Sequence, residues 1–578
     1  MTRLWNDPAD FADEMIDGFV AANGRYVRRV TGGVVRSTTS PSGQVAVVVG
    51  GGSGHYPAFG GLVGPGLAHG AAMGNLFASP STQQVHAVAK AAEHGGGVLL
   101  TYGNYAGDVL NFDAAAERLR AEGIGVETVT VTDDVASAPA NEKQRRRGIA
   151  GDLTVFRAAA AAAEAGHDLG GVARIAALAN ERTRSFGVAF SGCTLPGAAA
   201  PLFTVPEGRM AVGLGIHGEP GIDETAIPSA DELAQSLVAR LLDERPEGAD
   251  NRVVPILNGL GSLKYEEMFV VYRRVARLLE DAGLEIVDPH VGEYCTSFDM
   301  AGISLTLFWL DDELAGLWDT PVDTPAYRRG SVAPQERADT SVTIEDELVV
   351  APGDDASRAA AKTVFAAVET IVATIDEHVD ELGRLDSIAG DGDHGIGMQR
   401  GSRAALASAR SAADDGAGAA TVLERAADGW SDKAGGTSGA LWGVILSSVA
   451  ARLGDAGSPT ASDVARGVAD AVTGVTAYGK AEVGDKTLVD ALVPFSTTLT
   501  REVETGRPLA EAWRSAADAA TRAAAATADL LPRLGRARTH GQNSVGTADP
   551  GAHSLALIVT AVGDRLADAS DSTRKDTK

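Results

Sequence analysis

The sequence predicts an α/β N-terminal half followed by an all-α C-terminal half. Two observations carry this. Up to about Leu310, short β-branched runs alternate with alanine-rich helical stretches and end in glycine loops; beyond Ala356 the apolar residues recur at helical spacing and alternating runs become scarce.

Taken in order, Gln44–Val49 (QVAVVV) is a bounded apolar run that passes at once into GGGSGH and is expected to be a strand. Gly97–Leu100 with Thr101 forms a second, ending in YGNYAGD; Gly125–Val131 and Arg252–Leu257 are further candidates, with helical pattern such as Ala114–Glu122 between them. Strand, loop and helix in alternation place ligand loops at strand ends. Arg328–Thr340 (RRGSVAPQERADT) is polar, with glycine and proline, and is expected to be an interdomain linker. The expected division is therefore residues 1–330, a linker at 331–345, and residues 346–578. In the second half Val364, Val368, Ile371, Ile375, Val379 and Leu382 form an apolar stripe, leaving Lys362, Glu369 and Glu377 outside.

Composition narrows the function classes. The 578 residues exceed one ordinary core. Fifty basic and 77 acidic side chains give a net charge of −27, which works against binding phosphate backbones or anionic membranes. Hydrophobic content of 44% excludes disorder, and two cysteines cannot form a disulfide scaffold. No signal peptide or membrane span is evident, so a cytoplasmic protein is expected. Glycine is in surplus at 69 residues, where an average of about 7% would give roughly 40.

No Walker A loop is present. Two segments match G-x-G-x-x-G, at 213–218 and 390–395, but the first runs into Glu219-Pro220 and the second carries two aspartates, so dinucleotide binding is discounted. The aspartate loop says more. Asp386, Asp391 and Asp393, interleaved with glycines in LDSIAGDGDHG, supply hard oxygen ligands of the kind that suits Mg²⁺. Further on, Lys433–Gly439 (KAGGTSG) could present backbone N–H groups and hydroxyls to phosphate at the start of a helix expected over Ala440–Ala451. In the first half His55, Asp108 and His217 each stand on a glycine-flanked loop after an apolar run. Singly, each fits a structural role, a histidine bonded to a carbonyl or an aspartate capping a helix; together they could form a base and a nucleophile around a small polar substrate.

The ordered set GGGSGH, FASPS, NYAGDVLNF, CTLPG, GLGIHGEPG, TSFDMAGISLTL, IAGDGDHG, GGTSGAL and DPGA, running from about Trp5 to Asp564, resembles the dihydroxyacetone kinases, in particular the single-chain ATP-dependent form. The resemblance implies an α/β half of two subdomains that binds a ketose and a nucleotide-binding half that is an antiparallel helical barrel. It implies that His217 bonds covalently to the substrate carbonyl as a hemiaminal, that Asp108 takes the proton of the attacking hydroxyl, and that His55 orients the substrate. Gly52, Ser53, Gly54 and Gly103 would line the same pocket. Asp386, Asp391 and Asp393 would hold Mg²⁺ against ATP, with His394, Gly395, Thr437, Ser438, Gly484, Arg536 and Asp549 near the nucleotide. A homodimer is implied as well, with no nucleic acid or membrane partner.

Departures from the family pattern fall beside the ketose residues. Tyr56-Pro57-Ala58-Phe59 replaces Glu-Pro-Ala-His, Gly103 stands where lysine is frequent, and Asn75 where an acid is common. The expected acceptor is therefore dihydroxyacetone or a longer ketose such as erythrulose, or Tyr56 and Phe59 simply pack on each other. Arg538-Thr539-His540 replaces an aromatic pattern near the nucleotide, with ATP still expected. Alternatives are a lyase that cyclises FAD, using the metal but not His217, and a phosphotransferase-system component or ketose-sensing regulator.

Overall fold

The computed structural model describes residues 4–198, 200–217, 219, 221–333, 335–337, 352–389, 392–534 and 541–576. The chain divides into two compact units, 1–344 and 345–578. Most of the stretch assigned as a linker, from residue 338 on, lies outside the described residues.

The first unit holds two sheets. Strands β1 (Val27–Val30), β2 (Gly33–Arg36), β3 (Ala46–Ser53), β4 (Gly70–Leu76), β5 (Val98–Gly103) and β6 (Val126–Val131) form one, in the order β1-β2-β4-β3-β5-β6. Its β4, β3, β5 and β6 run parallel. The second comprises β7 (Thr183–Ala189), β8 (Arg209–Val212), β9 (Asp223–Ala226), β10 (Arg252–Gly259), β11 (Glu285–Ile286), β12 (His290–Gly292) and β13 (Gly302–Trp309). Here β10, β13, β7, β8 and β9 pair antiparallel in that order.

Helices cover both faces of each sheet, which is why the strands read as continuous apolar runs. Val47 and Val49 of β3 point into one core, while Ala46 and Val48 point to helices α2 (Thr82–Ala92) and α3 (Ala106–Ala121) on the opposite face. In β10, Val254 and Ile256 join the same core as Val47, whereas Val253 and Leu257 face α6 (Ala230–Asp243) and α7 (Tyr265–Asp281). The shared core is filled by α4 (Asp152–Glu164) and α5 (Leu169–Glu181), with α8 (Asp312–Trp318) alongside. The run Ala158–Ala163 is buried throughout, its small side chains allowing close packing. The layers are thus helix, sheet, helix, sheet, helix. A two-residue ribbon, β14 (Val322–Asp323) with β15 (Arg328–Arg329), completes the unit.

Strand β3 does not stop before the glycines, as expected, but continues through Gly50–Ser53. Packing imposes this. A Cβ on Gly50 would lie 2.5 Å from the Ala72 carbonyl oxygen and 3.0 Å from the Phe112 ring; one on Gly51 would meet Phe59 at 2.5 Å. The glycines let β4 and the aromatic side chains close onto the strand. Gly50→Ala should therefore lower stability by about 1–3 kcal/mol, measured by urea unfolding, because a backbone oxygen cannot rotate away.

The second unit, among the described residues, is all helical. Its helices are α9 (Asp355–Ala389), α10 (His394–Asp414), α11 (Ala419–Ala434), α12 (Gly436–Leu453), α13 (Ala461–Gly479), α14 (Val489–Glu504), α15 (Leu509–Ala526) and α16 (Pro550–Asp576). Each packs against the next in sequence, and α16 returns to α9, closing the ring. On α9, Val368, Ile371, Ile375 and Leu382 are buried, Val364 and Val379 are half-buried, and Lys362, Glu369 and Glu377 are exposed. Helix α12 begins at Gly436, earlier than expected, so Thr437 and Ser438 lie in its first turn rather than in a loop.

Candidate active site

The carboxyl ends of the neighbouring parallel strands β4, β3 and β5 converge, and the first-half candidates sit there. β3 delivers Gly52 and Ser53, then Gly54 and His55. Gly54 has φ +103°, and a Cβ on it would sit 2.8 Å from the Phe77 ring. Ser53 Oγ donates to the Gly74 carbonyl at 2.6 Å, tying β3 to β4. β5 ends at Gly103, where an added Cβ would lie 3.1 Å from the Tyr105 ring, so this glycine leaves room for that aromatic. Asp108 lies in the first turn of α3 and is not its N-cap; that position is Tyr105.

The two histidines meet. His55 Nε2 lies 3.0 Å from His217 Nε2, their rings edge to face at 4.7 Å. His55 Nδ1 donates to the Thr296 carbonyl at 2.7 Å, and its ring stacks on Phe77 at 4.9 Å. Burial, then repulsion from His217, lowers the His55 pKa to about 3, so the ring is neutral. His217 follows β8 in the second sheet and packs against the edge of Tyr105 at 4.4 Å. Its backbone N–H donates to Glu219 Oε2 at 3.0 Å, and its Nδ1 lies 3.4 Å from Glu219 Oε1.

Asp108 is buried, and its Oδ1 has no hydrogen-bond partner. Burial raises its pKa to about 6, against the opposing pull of a Ser79 hydrogen bond and the nearby His217. A buried carboxylate with a free oxygen near the His217 imidazole is arranged to accept a proton.

Glu219, Arg147, Asp134, Thr296, Tyr105 and Phe77 belong to this constellation and were missed from sequence. Arg147 donates to Asp134 Oδ2 through Nε at 3.0 Å and Nη2 at 2.8 Å, and its Nη1 lies 3.7 Å from Glu219. Tyr56 and Phe59 pack elsewhere rather than as a pair, Tyr56 against Phe19 and Phe59 against His55 and Phe156. Asn75 is spent locally, its Oδ1 accepting the Leu76 N–H at 2.8 Å.

In the second unit Asp386, near the end of α9, accepts the N–H groups of Gly392 (2.9 Å) and His394 (3.2 Å) at Oδ2. Asp393 precedes α10, and desolvation, then the Asp386 charge, raises its pKa. Asp391 and Arg536 lie outside the described residues, as do Arg538, Thr539 and His540. Among the described residues no three His, Cys, Asp or Glu side chains converge as metal ligands. Asp386 is half-buried and Asp393 exposed; their two interacting carboxylates nevertheless fit a hard divalent cation, whose charge would relieve their mutual repulsion.

The other residues of this unit fall into two linked groups. His394 Nε2 is 3.0 Å from Ser554 Oγ, and Ser438 Oγ is 3.5 Å from His394 Nδ1. Gly395 admits the close crossing of α9 and α10, since a Cβ there would sit 2.1 Å from the Val379 carbonyl oxygen. Gly484, with φ +104°, donates its N–H to Asp490. Asp549 caps α16 by accepting the Ala552 N–H at 2.7 Å, and burial, then Asp490 and Asp386, raises its pKa to about 7.

Two family models match the chain, the Dak1 domain over residues 17–326 and the DAK2 domain over 388–564. The chain belongs to the dihydroxyacetone kinase family. The L-erythrulose kinase of Pectobacterium atrosepticum is 59% identical over 99% of this chain and 98% of its own length. The D-erythrulose kinase of Mycolicibacterium smegmatis is 53% identical over 98% of both. The dihydroxyacetone kinase of C. freundii, solved with AMP-PNP and Mg²⁺, is 29% identical with a TM-score of 0.52, over 97% of this chain and 99% of that one. This dihydroxyacetone kinase family member, with both domains fused in one chain, is a kinase acting on an alcohol. No helix among its described residues is long and apolar enough to cross a membrane.

Proposed function

We propose that the chain transfers the terminal phosphoryl group of ATP to a terminal hydroxyl of a short ketose, erythrulose above all, which His217 holds as a hemiaminal. The observation that carries this reading is the paired imidazoles, 3.0 Å apart at Nε2, with the unpartnered buried oxygen of Asp108 near His217. A nucleophilic nitrogen there anchors a carbonyl, which glycerol lacks, and Asp108 accepts the proton of the attacking hydroxyl. The erythrulose kinases at 53% and 59% identity support a four-carbon acceptor.

In the second unit Asp386 and Asp393, with Asp391, would hold Mg²⁺. When bound, the ion neutralises phosphate charge and aligns the donor. Thr437 and Ser438, at the N-terminal turn of α12, present hydroxyl and N–H donors suited to phosphate.

An assay with Mg-ATP and a panel of dihydroxyacetone, D- and L-erythrulose, glyceraldehyde and glycerol tests the reading. Phosphorylation of an erythrulose in preference to glycerol is expected; phosphorylation of no short carbonyl compound would sink it. The acid limb of kcat/KM should fall near pH 6, where Asp108 takes up its proton. Rate should therefore drop about tenfold for each pH unit below that point. A flat profile between pH 5 and 7 would remove Asp108 as the base.

A further inference from the structure

We propose that a cavity at the amino end of β4, at the opposite end of the first sheet from the candidate active site, binds a phosphate group, either free or carried as the monoester of a short sugar. The site stands apart from the ketose reading above and does not depend on it.

The cavity measures about 160 Å³. Its polar walls are Arg28 on β1, Arg36 on β2, Thr38 and Ser40 in the loop that follows, His69 just before β4, and His94 beyond the end of α2. No acid is among its lining residues. The seven residues of β4 separate it from the candidate active site, roughly 20 Å at the rise of a strand. The loop is fixed from outside, since Thr39 donates both its N–H (2.9 Å) and its hydroxyl (3.2 Å) to the Glu336 carbonyl.

Hydrogen-bond accounting shows what this cavity lacks. Arg28 Nε, Thr38 Oγ1, Ser40 Oγ and His69 Nε2 are shielded from solvent and have no partner among the described residues. His69 is 1% exposed, and its Nδ1 accepts the Val47 N–H at 3.2 Å. Burial, then repulsion from Arg36 and His94, holds its pKa well below the usual histidine value, so the neutral ring carries its proton on Nε2 as an unused donor. The unmatched groups are thus two N–H donors and two hydroxyls, and all four can donate to one acceptor. Leaving such groups unpaired is costly.

Charge points the same way. Arg36 is already satisfied, with Nη1 on Glu164 at 2.8 Å and its other nitrogens on the Ala68 and Leu67 carbonyls. Glu93, which acts on His94, accepts the N–H groups of Gly95 and Gly97. Arg28 is different: burial pulls its pKa down, and no carboxylate among the described residues opposes this. A half-buried cation without a counter-charge, ringed by donors, calls for an anion. The chain as a whole carries −27, so bulk composition does not account for a cationic hollow.

Size sets the class of ligand. Drug-sized ligands occupy pockets of about 300–1,000 Å³, which this cavity does not reach. It suits one tetrahedral phosphate with at most a short carbon chain. A kinase acting on an alcohol forms a phosphate monoester, so its own product belongs to this class.

The test titrates the full chain by calorimetry, in EDTA and without nucleotide, with inorganic phosphate and separately with glycerol phosphate, a short monoester lacking the carbonyl that His217 is proposed to hold. Saturable binding is expected that weakens about tenfold or more in Arg28→Gln and is unchanged in His217→Ala and Asp386→Asn. Tighter binding of the ester supports a sugar phosphate as the ligand; equal or weaker binding supports the free anion. No saturable binding of either compound to the wild type overturns the proposal, as does undiminished binding in Arg28→Gln. Binding lost in His217→Ala or Asp386→Asn but kept in Arg28→Gln places the anion elsewhere and overturns it as well. Circular dichroism checks that Arg28→Gln is folded. Should it not fold, Ser40→Ala decides, with a loss of about threefold or more expected and undiminished binding overturning the site.

Discussion

Replacing His217 by alanine should lower kcat/KM for the ketose by about 10²-fold or more, because a covalent anchor converts a mobile substrate into an oriented one. The loss should fall selectively. With the imidazole gone, a carbonyl compound no longer has an advantage over glycerol, so the ratio of their kcat/KM values should approach one. Affinity for ATP should not change, because the nucleotide candidates lie in the other compact unit. Steady-state kinetics with erythrulose and glycerol measure both effects, and an unaltered ratio would contradict the anchoring role.

Asp108→Asn should separate activity from stability. Removing the proposed base should lower kcat by about 10²–10⁴-fold while the proposed adduct at His217 persists. Stability should move the other way. Burial raises the Asp108 pKa to about 6 in the folded chain, so the folded state binds the proton more tightly than the unfolded one. The charged carboxylate therefore costs stability that is absent at low pH, grows as pH rises from about 4 to about 6, and is complete above it. An amide carries no such charge, so the variant should gain up to about 3 kcal/mol at pH 8 and nothing at pH 4. Thermal unfolding at the two pH values checks the sign; a variant less stable at pH 8 would argue against a strained carboxylate.

How far the sequence foretold this depends on where each signal resides. The helices of the second unit were legible because Ile371, Ile375 and Leu382 repeat at helical spacing, and such a stripe is buried wherever the neighbours lie. Gln44–Val49 was legible for the same kind of reason. Its continuation through Gly50–Ser53 was not, since glycine has no strand preference of its own and the extended form comes from Ala72, Phe59 and Phe77 closing in. The sequence predicts the helix only from Ala440, whereas Gly435 and Gly436 take positive φ at the turn from which α12 starts, so Thr437 and Ser438 fall inside it. His55, Asp108 and His217 could be picked out by their glycine flanks, but no local pattern reveals that two imidazoles 162 positions apart lie 3.0 Å from each other. Arg147 was hidden in the basic run Gln144–Gly148, which looks like solvated surface, and Glu219 was weighed only as a break before a helix. Both depend on tertiary partners.

The glycine end of β3 has an evolutionary consequence. Along Gly50–Gly54 the strand end that leads to the proposed pocket is largely backbone, and an added carbon at any of the four glycines would collide with a neighbour. Selection for a new acceptor therefore has almost no alleles available there. Adaptation to a longer or shorter sugar is channelled to the aromatic residues Phe77, Tyr105 and Phe59, where side chains can be exchanged without moving a strand. A saturation library confined to those positions should yield altered sugar preference at far higher frequency than one confined to 50–54.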